Sequence, residues 1–160
     1  SQVPKARRAV LVGTALSPGQ ARTKPDGTVV RTLWGELAWQ LGGAEAFALV
    51  ADTDAHGVSP GSHLLRDLFV KWGPALVLID EWVAYARQIY GKSGLPAGSF
   101  DANLTFVQAL TEAVKQTKDA LLLPRLLAVS YTHVTLPTNE KVEISGGGGS
   151  LNKKKKKEKE

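Results

Sequence analysis

The chain has 160 residues, which is enough for one domain with a sizeable hydrophobic core. It has no cysteine, signal peptide or membrane-length apolar run, which excludes disulfides and thiolate metal sites and predicts a cytoplasmic protein without membrane contact. The formal net charge of +5 comes mainly from residues 151–160, where six Lys and two Glu give +4.

Short apolar runs alternate with segments of helical spacing as far as residue 123. In chain order, the predicted elements are a strand at 9–13, a loop at 14–29, helices at 30–42, 44–52 and 62–72, a strand at 75–79, a helix at 81–90, a loop at 91–99, a helix at 102–117 and a strand at 120–123. We expect Gly42-Gly43 to end the first helix and Asp101 to cap the last one. This alternation predicts an α/β fold with a largely parallel sheet flanked by helices.

The character of the chain changes after residue 123. Residues 129–144 are rich in β-formers and could form a hairpin, residues 146–150 have the composition of a flexible linker, and we expect residues 139–160 to be disordered. A second interpretation is that residues 129–138 resemble a translated sequencing-adapter remnant, and that translated poly-G and poly-A runs follow. We favour this second interpretation, and divide the chain into a domain at 1–123 and a non-native or disordered tail at 124–160.

The most informative motif lies at residues 75–82, where five apolar residues lead into Asp80 and Glu81. Gly73-Pro74 bounds this run, which favours a strand buried on both faces of a parallel sheet. Acids at the carboxyl end of such a strand lie where open α/β sheets bind ligands. The pattern is that of the second nucleotide motif (Walker B) of P-loop ATPases, in which one acid holds Mg²⁺ and the next polarises water. The alternative is a plain junction in which Asp80 caps a helix and Glu81 lies in its first turn.

Two further segments offer weaker suggestions of phosphate binding. Gly91-Lys92-Ser93 matches the end of a phosphate loop, but it follows a helix instead of a strand, which favours a helix C-cap with a solvated Lys92. Arg22, Lys24 and Arg31 flank a Pro/Gly loop and could meet phosphates, or they could be solvated. The histidines show no metal-ligand spacing, and the tryptophans favour core or interface anchors over base-stacking platforms.

Several segments together resemble one protein family. They are Gly13-Thr14, Ser17-Pro18-Gly19-Gln20, Arg22-Thr23-Lys24-Pro25-Asp26-Gly27, the run from Thr32 to Gly42, the run from Ile79 to Arg87, and Leu95-Pro96-Ala97-Gly98-Ser99-Phe100-Asp101. The family comprises large prokaryotic proteins predicted to be ATPases of the AAA+ superfamily. It was long described only as a domain of unknown function, and its members are often encoded beside DNA-modifying methyltransferases in defence islands. The resemblance covers about residues 3–122.

This resemblance implies an incomplete P-loop NTPase-like core that binds ATP and Mg²⁺. It makes Asp80 the Mg²⁺-linked acid, acting through water, and Glu81 the water-polarising one. The phosphate-binding loop would lie upstream of Ser1, and the sensor that follows the strand at 120–123 cannot be assigned because the similarity ends near Leu123. DNA, a methyltransferase and further copies of the protein are the implied partners.

Two functions follow as expectations. In the first, the chain is a fragment of an ATP-hydrolysing AAA+-type protein of a DNA-modification or anti-phage system, with little hydrolysis on its own. Methionine is absent even at position 1, which agrees with a start inside a longer reading frame. In the second, the chain is a non-catalytic α/β interaction module whose basic tail contacts nucleic acid.

Overall fold

The structure is a computed structural model, and it describes residues 5–118 and 120–124. The strands are β1 (Arg7–Val12), β2 (Arg22–Thr23), β3 (Val29–Val30), β4 (Ala75–Asp80) and β5 (Ala120–Pro124). The helices are α1 (Leu33–Phe47), α2 (Ala51–His56), α3 (Ser62–Trp72), α4 (Trp82–Ile89) and α5 (Phe100–Lys115). The predicted hairpin at 129–144, the linker and the lysine block lie outside the described residues.

Three strands form a parallel sheet in the order β1-β4-β5, with β4 in the middle. Ala75 pairs with Arg7 on one side and with Ala120 on the other, so all three strands run in register from the same edge. Parallel neighbours need a crossover connection, which α4 and α5 provide between β4 and β5. The predicted α/β fold with a parallel sheet and flanking helices is confirmed.

Helices cover one face of this sheet more fully than the other. Successive side chains of a strand point to opposite faces of the sheet. Leu11 and Val77 lie on the covered face and are buried. On the opposite face Leu76 is half-buried, and Val10 and Leu121 are 42% and 56% exposed. The prediction of a strand at 75–79 is therefore confirmed, but the prediction that it is buried on both faces is wrong for the second face.

The hydrophobic core lies between the covered face and the helices α1, α3 and α5, which contact one another. Trp34 of α1 and Phe106 of α5 are fully buried, and their ring centroids lie 5.5 Å apart. Trp72 at the end of α3 is also buried. These contacts agree with the interpretation of the tryptophans as core anchors.

Helix α1 begins at a threonine cap and is interrupted by two glycines. Its N-cap is Thr32, whose hydroxyl oxygen accepts a hydrogen bond from the Gly35 N–H at 3.0 Å. Gly42 and Gly43 have non-helical backbone angles, with φ of −148° and 64°, as expected for a helix end. A further helical turn at residues 44–47 follows this break, so the separate helix predicted at 44–52 is confirmed over those residues. It ends at Phe47, and α2 begins at Ala51.

The predicted loop at 14–29 contains a short antiparallel pair, β2 and β3. Its turn is closed by the Gly27 N–H, which donates to the Lys24 carbonyl at 2.8 Å, and by the Thr28 N–H, which donates to the Asp26 carboxylate at 3.0 Å. Gly27 has φ of 90°, a left-handed conformation that glycine adopts without steric cost. The Pro-Asp-Gly sequence is therefore a true turn that joins two short strands.

The cap of α5 is not the predicted residue. The Ser99 hydroxyl oxygen accepts a hydrogen bond from the Ala102 N–H at 3.0 Å, so Ser99 is the N-cap and the helix begins at Phe100. Asp101 lies within the first turn, where the helix dipole stabilises its negative charge.

In the described part of the chain, every helix is too short or too polar to cross a membrane.

Candidate functional site

Asp80 and Glu81 lie at the carboxyl end of the middle strand of the parallel sheet. Asp80 is the last residue of β4 and pairs in register with Val12, the last residue of β1. Glu81 follows at the start of α4. Ligands of open α/β sheets bind at this edge, so the paired acids occupy the expected position for a ligand site.

The two carboxylates are half-buried, and neither is neutralised within the described residues. Asp80 Oδ1 accepts the Glu81 backbone N–H at 3.0 Å, while the Asp80 backbone carbonyl accepts the Gly13 N–H at 2.7 Å. Asp80 Oδ2 and both Glu81 carboxylate oxygens have no protein partner in this part of the chain. They therefore keep their capacity to accept hydrogen bonds from water or to coordinate a cation.

Glu81 has an unusual backbone conformation. Its φ of 57° and ψ of 37° are left-handed, and it is the one non-glycine residue of the described part with a positive φ. Such a conformation costs about 1 kcal/mol or more for a residue with a side chain, and residues held in this way cluster at functional sites. The conformation turns the chain abruptly from β4 into α4.

The structure contradicts the capping interpretation of these acids. The N-cap of α4 is Glu81, not Asp80, and α4 has no side-chain capping hydrogen bond and no acid in its first turn. The capping roles therefore differ from those that the sequence alternative supposed. Glu81 still lies at the N-terminus of α4, where the helix dipole favours an acid, and Asp80 Oδ1 accepts one backbone N–H there.

Gly13 makes the close approach between β1 and the start of α4 possible. A Cβ atom added to Gly13 would overlap the Glu81 carbonyl oxygen and lie 2.9 Å from the Tyr85 Cβ. The Gly13 N–H also continues the ladder by donating to Asp80. Gly13 was predicted as the last residue of the strand at 9–13, whereas β1 ends at Val12 and Gly13 directly follows it.

The Tyr85 side chain is buried next to the close approach between Gly13 and Glu81. It is 2% exposed and stacks on Trp82, with ring centroids 6.2 Å apart. Burial raises the pKa of the Tyr85 phenol to about 12, and the positive charge of Arg22 offsets this only in part. The phenol is therefore neutral at physiological pH, and sequence reasoning had not singled it out.

Two of the three basic residues proposed to meet phosphates are instead paired with a buried acid. Arg22 Nη2 lies 3.0 Å from Glu36 Oε1, and Lys24 Nζ lies 2.8 Å from Glu36 Oε2, while Glu36 itself is 3% exposed. Burial raises the pKa of Glu36, but hydrogen bonds from Lys24 and Gln40 and the charges of Lys24 and Arg22 lower it below the ordinary value overall. This cluster ties the β2–β3 hairpin to α1.

Arg31, the third of these basic residues, lies beside a second buried acid, Asp54. Asp54 is fully buried, and its Oδ1 accepts the Thr32 hydroxyl at 2.6 Å and the backbone N–H groups of Thr32 and Arg31 at 2.9 and 3.1 Å. Arg31 Nη1 is 3.6 Å from Asp54 Oδ2. Gly35 allows this approach, since a Cβ there would overlap Asp54 Oδ1.

Lys92 and Ser93 do not form a phosphate loop of the P-loop kind. They follow α4, and Gly91 has φ of 72° one residue beyond the helix cap Tyr90, as the capping interpretation expected. They do line a surface cleft with Arg31.

The histidines do not form a metal site in the described part of the chain. His56 is the last residue of α2 and His63 lies in α3, while His133 lies outside the described residues. No group of three potential metal ligands occurs in the described part.

The fold and site thus define an α/β protein with a parallel sheet and two acids at the carboxyl end of its middle strand, and neither acid forms an ion pair within the described residues. A family model, the DUF499 N-terminal domain, matches residues 5–134, and the chain therefore belongs to the DUF499 family. Searches of curated proteins and of solved structures found no match.

Proposed function

We propose that the chain is part of an AAA+-type ATPase in which Asp80 and Glu81 manage the hydrolysis of ATP. The observation that carries this proposal is the pair of half-buried, unneutralised carboxylates at the carboxyl end of the middle parallel strand. The left-handed backbone at Glu81 adds further support, because such strain is commonly kept where function requires it.

The residues present fit a magnesium ion bound in part by the protein. Mg²⁺ usually keeps several waters and takes one or two carboxylates together with phosphate oxygens, so a dedicated cluster of protein ligands is not needed. Asp80 would hold the ion, directly or through water, because its Oδ2 has no protein partner in the described part. Bound there, the ion would supply charge neutralisation for the phosphates.

Glu81 has the properties of a residue that orients the attacking water. Its carboxylate has no protein partner within the described residues, and Glu81 directly follows Asp80 at the left-handed junction between β4 and α4. Gly13 packs closely against the Glu81 backbone and Tyr85. The Tyr85 phenol is neutral and adds no competing negative charge. The role proposed for Glu81 is to accept a hydrogen bond from water beside the Mg²⁺-linked phosphate.

The phosphate cradle is not among the described residues. Phosphoryl transfer needs the β- and γ-phosphates held as well as the metal neutralised. Within residues 5–118 and 120–124, no glycine-rich Gly-Lys-Ser/Thr loop connects a strand to a helix. We therefore expect little ATP hydrolysis by this chain alone. Through the family, DNA and a methyltransferase are the proposed partners, in DNA modification or anti-phage defence.

Metal binding by the chain itself can be tested with Mn²⁺, a paramagnetic substitute for Mg²⁺. In the presence of ATP, Mn²⁺ should broaden the backbone NMR signals of Gly13, Asp80 and Glu81 first. Asp80→Asn should remove this selective broadening, whereas Asp67→Asn, which changes an exposed acid on α3, should leave it intact. Equal broadening in the wild-type chain and in Asp80→Asn would contradict the metal site.

The catalytic role requires a second measurement, in a protein encoded by an extended reading frame that includes a phosphate loop. Glu81→Gln should lower steady-state ATP turnover by a factor on the order of 10²–10⁴, the usual contribution of a positioned general base, while nucleotide binding persists. Turnover that survives Glu81→Gln would refute the role given to Glu81.

A further inference from the structure

A second candidate site lies outside the Asp80–Glu81 pair. It is a cleft of about 560 Å³ whose lining includes Arg31, His56, Lys92, Ser93 and Ser99, and we refer to it as the basic cleft. Its volume falls within the range of about 300–1,000 Å³ that is typical of small-molecule sites. Lys92 and Ser93, which the phosphate-loop interpretation of the sequence left without a role, therefore lie in a concave and polar environment.

The charge of the basic cleft favours an anion. The cations Arg31 and Lys92 reach it from two separate segments of the chain, and no acidic residue is among its lining residues, although the exposed Asp52 carboxylate lies 3.4 Å from the lining residue His56. Asp54, the acid closest to Arg31, is fully buried and already accepts three other hydrogen bonds, so it does not compete for a ligand in the cleft. Lys92 forms no ion pair within the described residues.

Arg31 keeps donors for a ligand despite its acidic neighbour. Its side chain is 37% exposed, and a single contact at 3.6 Å joins it to Asp54. A guanidinium carries five N–H donors, so at least three are left for a ligand even if this contact were bidentate. The His56 Nδ1 atom lies 2.9 Å from the Asp52 carbonyl oxygen and 3.4 Å from the Asp52 carboxylate, so His56 is a lining residue that is not counted among the cations of the cleft.

Hydroxyl groups add neutral donors to the cationic side chains. The Ser99 oxygen accepts the Ala102 N–H, and its own O–H is left to donate. Ser93 has no hydrogen-bond partner in the described part of the chain. The cationic side chains supply the main attraction for an anion.

The walls of the basic cleft are fixed by backbone contacts. Gly57 at the end of α2 and Gly98 before α5 both have left-handed angles, with φ of 66° and 88°, and a Cβ on Gly98 would lie 3.3 Å from the Gly57 Cα. The Asn103 side chain donates to the Ala97 and Ser99 carbonyls at 3.1 and 2.8 Å. These contacts hold the part of the cleft formed by Gly57, Gly98 and Ser99 in shape before any ligand arrives, which reduces the cost of binding.

From this arrangement we propose that the basic cleft binds the phosphate group of a small phosphorylated ligand, such as a nucleoside monophosphate. The shape supports a small ligand, because the cationic groups converge on one concavity instead of forming a stripe that could follow a nucleic-acid backbone. The site needs neither Asp80 nor Glu81, and so it is independent of the proposed ATPase centre.

The test is a titration of the whole chain with inorganic phosphate, followed by ¹⁵N–¹H NMR at constant ionic strength and without divalent cations. The amide signals of Gly94, Gly98 and Ser99 should shift and saturate. Lys92→Ala should weaken binding on the order of fivefold, while Lys118→Ala, which removes the same charge from an exposed position outside the cleft, should not. Equal effects of the two variants, or shifts that never saturate, would overturn the proposal.

Two further arms identify the source of the phosphate. Adenosine monophosphate should shift the same signals with an affinity at least equal to that of phosphate, and a single-stranded oligonucleotide should bind no more tightly than the monophosphate. Tighter oligonucleotide binding would overturn the small-ligand assignment in favour of a nucleic-acid site. Asp80→Asn should change none of these results, so a failure here leaves the ATPase proposal standing, and the reverse also holds.

Discussion

Helix α2 carries two acids, Asp52 and Asp54, and we expect Asp54→Ala to destabilise the protein far more than Asp52→Ala. The Asp54 side chain is fully buried and accepts the Thr32 hydroxyl at 2.6 Å and two backbone N–H groups at 2.9 and 3.1 Å, all on Oδ1. Hydrogen bonds to a charged acceptor contribute about 1.5–3 kcal/mol each, but they are not additive, and donors that lose a buried partner carry their own penalty. We therefore expect a loss of about 3–5 kcal/mol in the free energy of unfolding, as for a broken buried ion pair.

Urea denaturation followed by tryptophan fluorescence measures this loss, and α2 offers a matched control. Asp52 lies two residues away on the same helix and its side chain is 92% exposed, so Asp52→Ala should change the unfolding midpoint little. Asp54→Asn keeps one acceptor oxygen and should fall between the two alanine variants. If Asp54→Ala and Asp52→Ala unfold at the same urea concentration, the network around Asp54 does not stabilise the fold as argued.

Two other predictions concern stability. Because the folded-state pKa of Glu36 is lowered, its contribution to stability should be fully present above its ordinary value of 4.5 and should be lost as the pH falls through the lowered pKa. Glu36→Gln should therefore flatten the acid side of the stability profile measured by urea unfolding from pH 3 to pH 7; an unchanged profile would contradict the pairing with Arg22 and Lys24. For α5, Ser99→Ala should cost about 1 kcal/mol as the loss of an N-cap. Asp101→Ala should cost about 0.5 kcal/mol as the loss of a first-turn charge, and thermal melts that reverse this order would show that the cap is misassigned.

Local sequence signals were sufficient where one interaction dominates. The apolar run that ends at Asp80 predicted a strand because it is short and is bounded by a Gly-Pro break and two acids. Gly42-Gly43 predicted a break because these residues leave the helical region at little cost. The placement of Asp80 and Glu81 at the carboxyl edge followed from the same reasoning, since strand direction fixes which end of a parallel sheet they reach.

Other features depend on which distant segments pack together. Ser99 caps α5 in place of Asp101 because the loop before the helix is held by Asn103, whose side chain donates to the Ala97 and Ser99 carbonyls. The sequence showed charged residues at Arg22 and Lys24, but not that both would pair with Glu36 on a later helix. Short-range patterns carry no information on such pairings, because they join residues that are 12 and 14 positions apart in the chain.

The chain by itself determined its α/β class, its strand directions and the position of the acid pair, because these follow from hydrophobic periodicity and the order of elements. Only the tertiary structure decided that Glu81 adopts a left-handed backbone against Gly13, and that Lys92 shares a cleft with Arg31. Both outcomes depend on close approaches between segments far apart in sequence, which are set by packing and not by the preferences of the residues themselves.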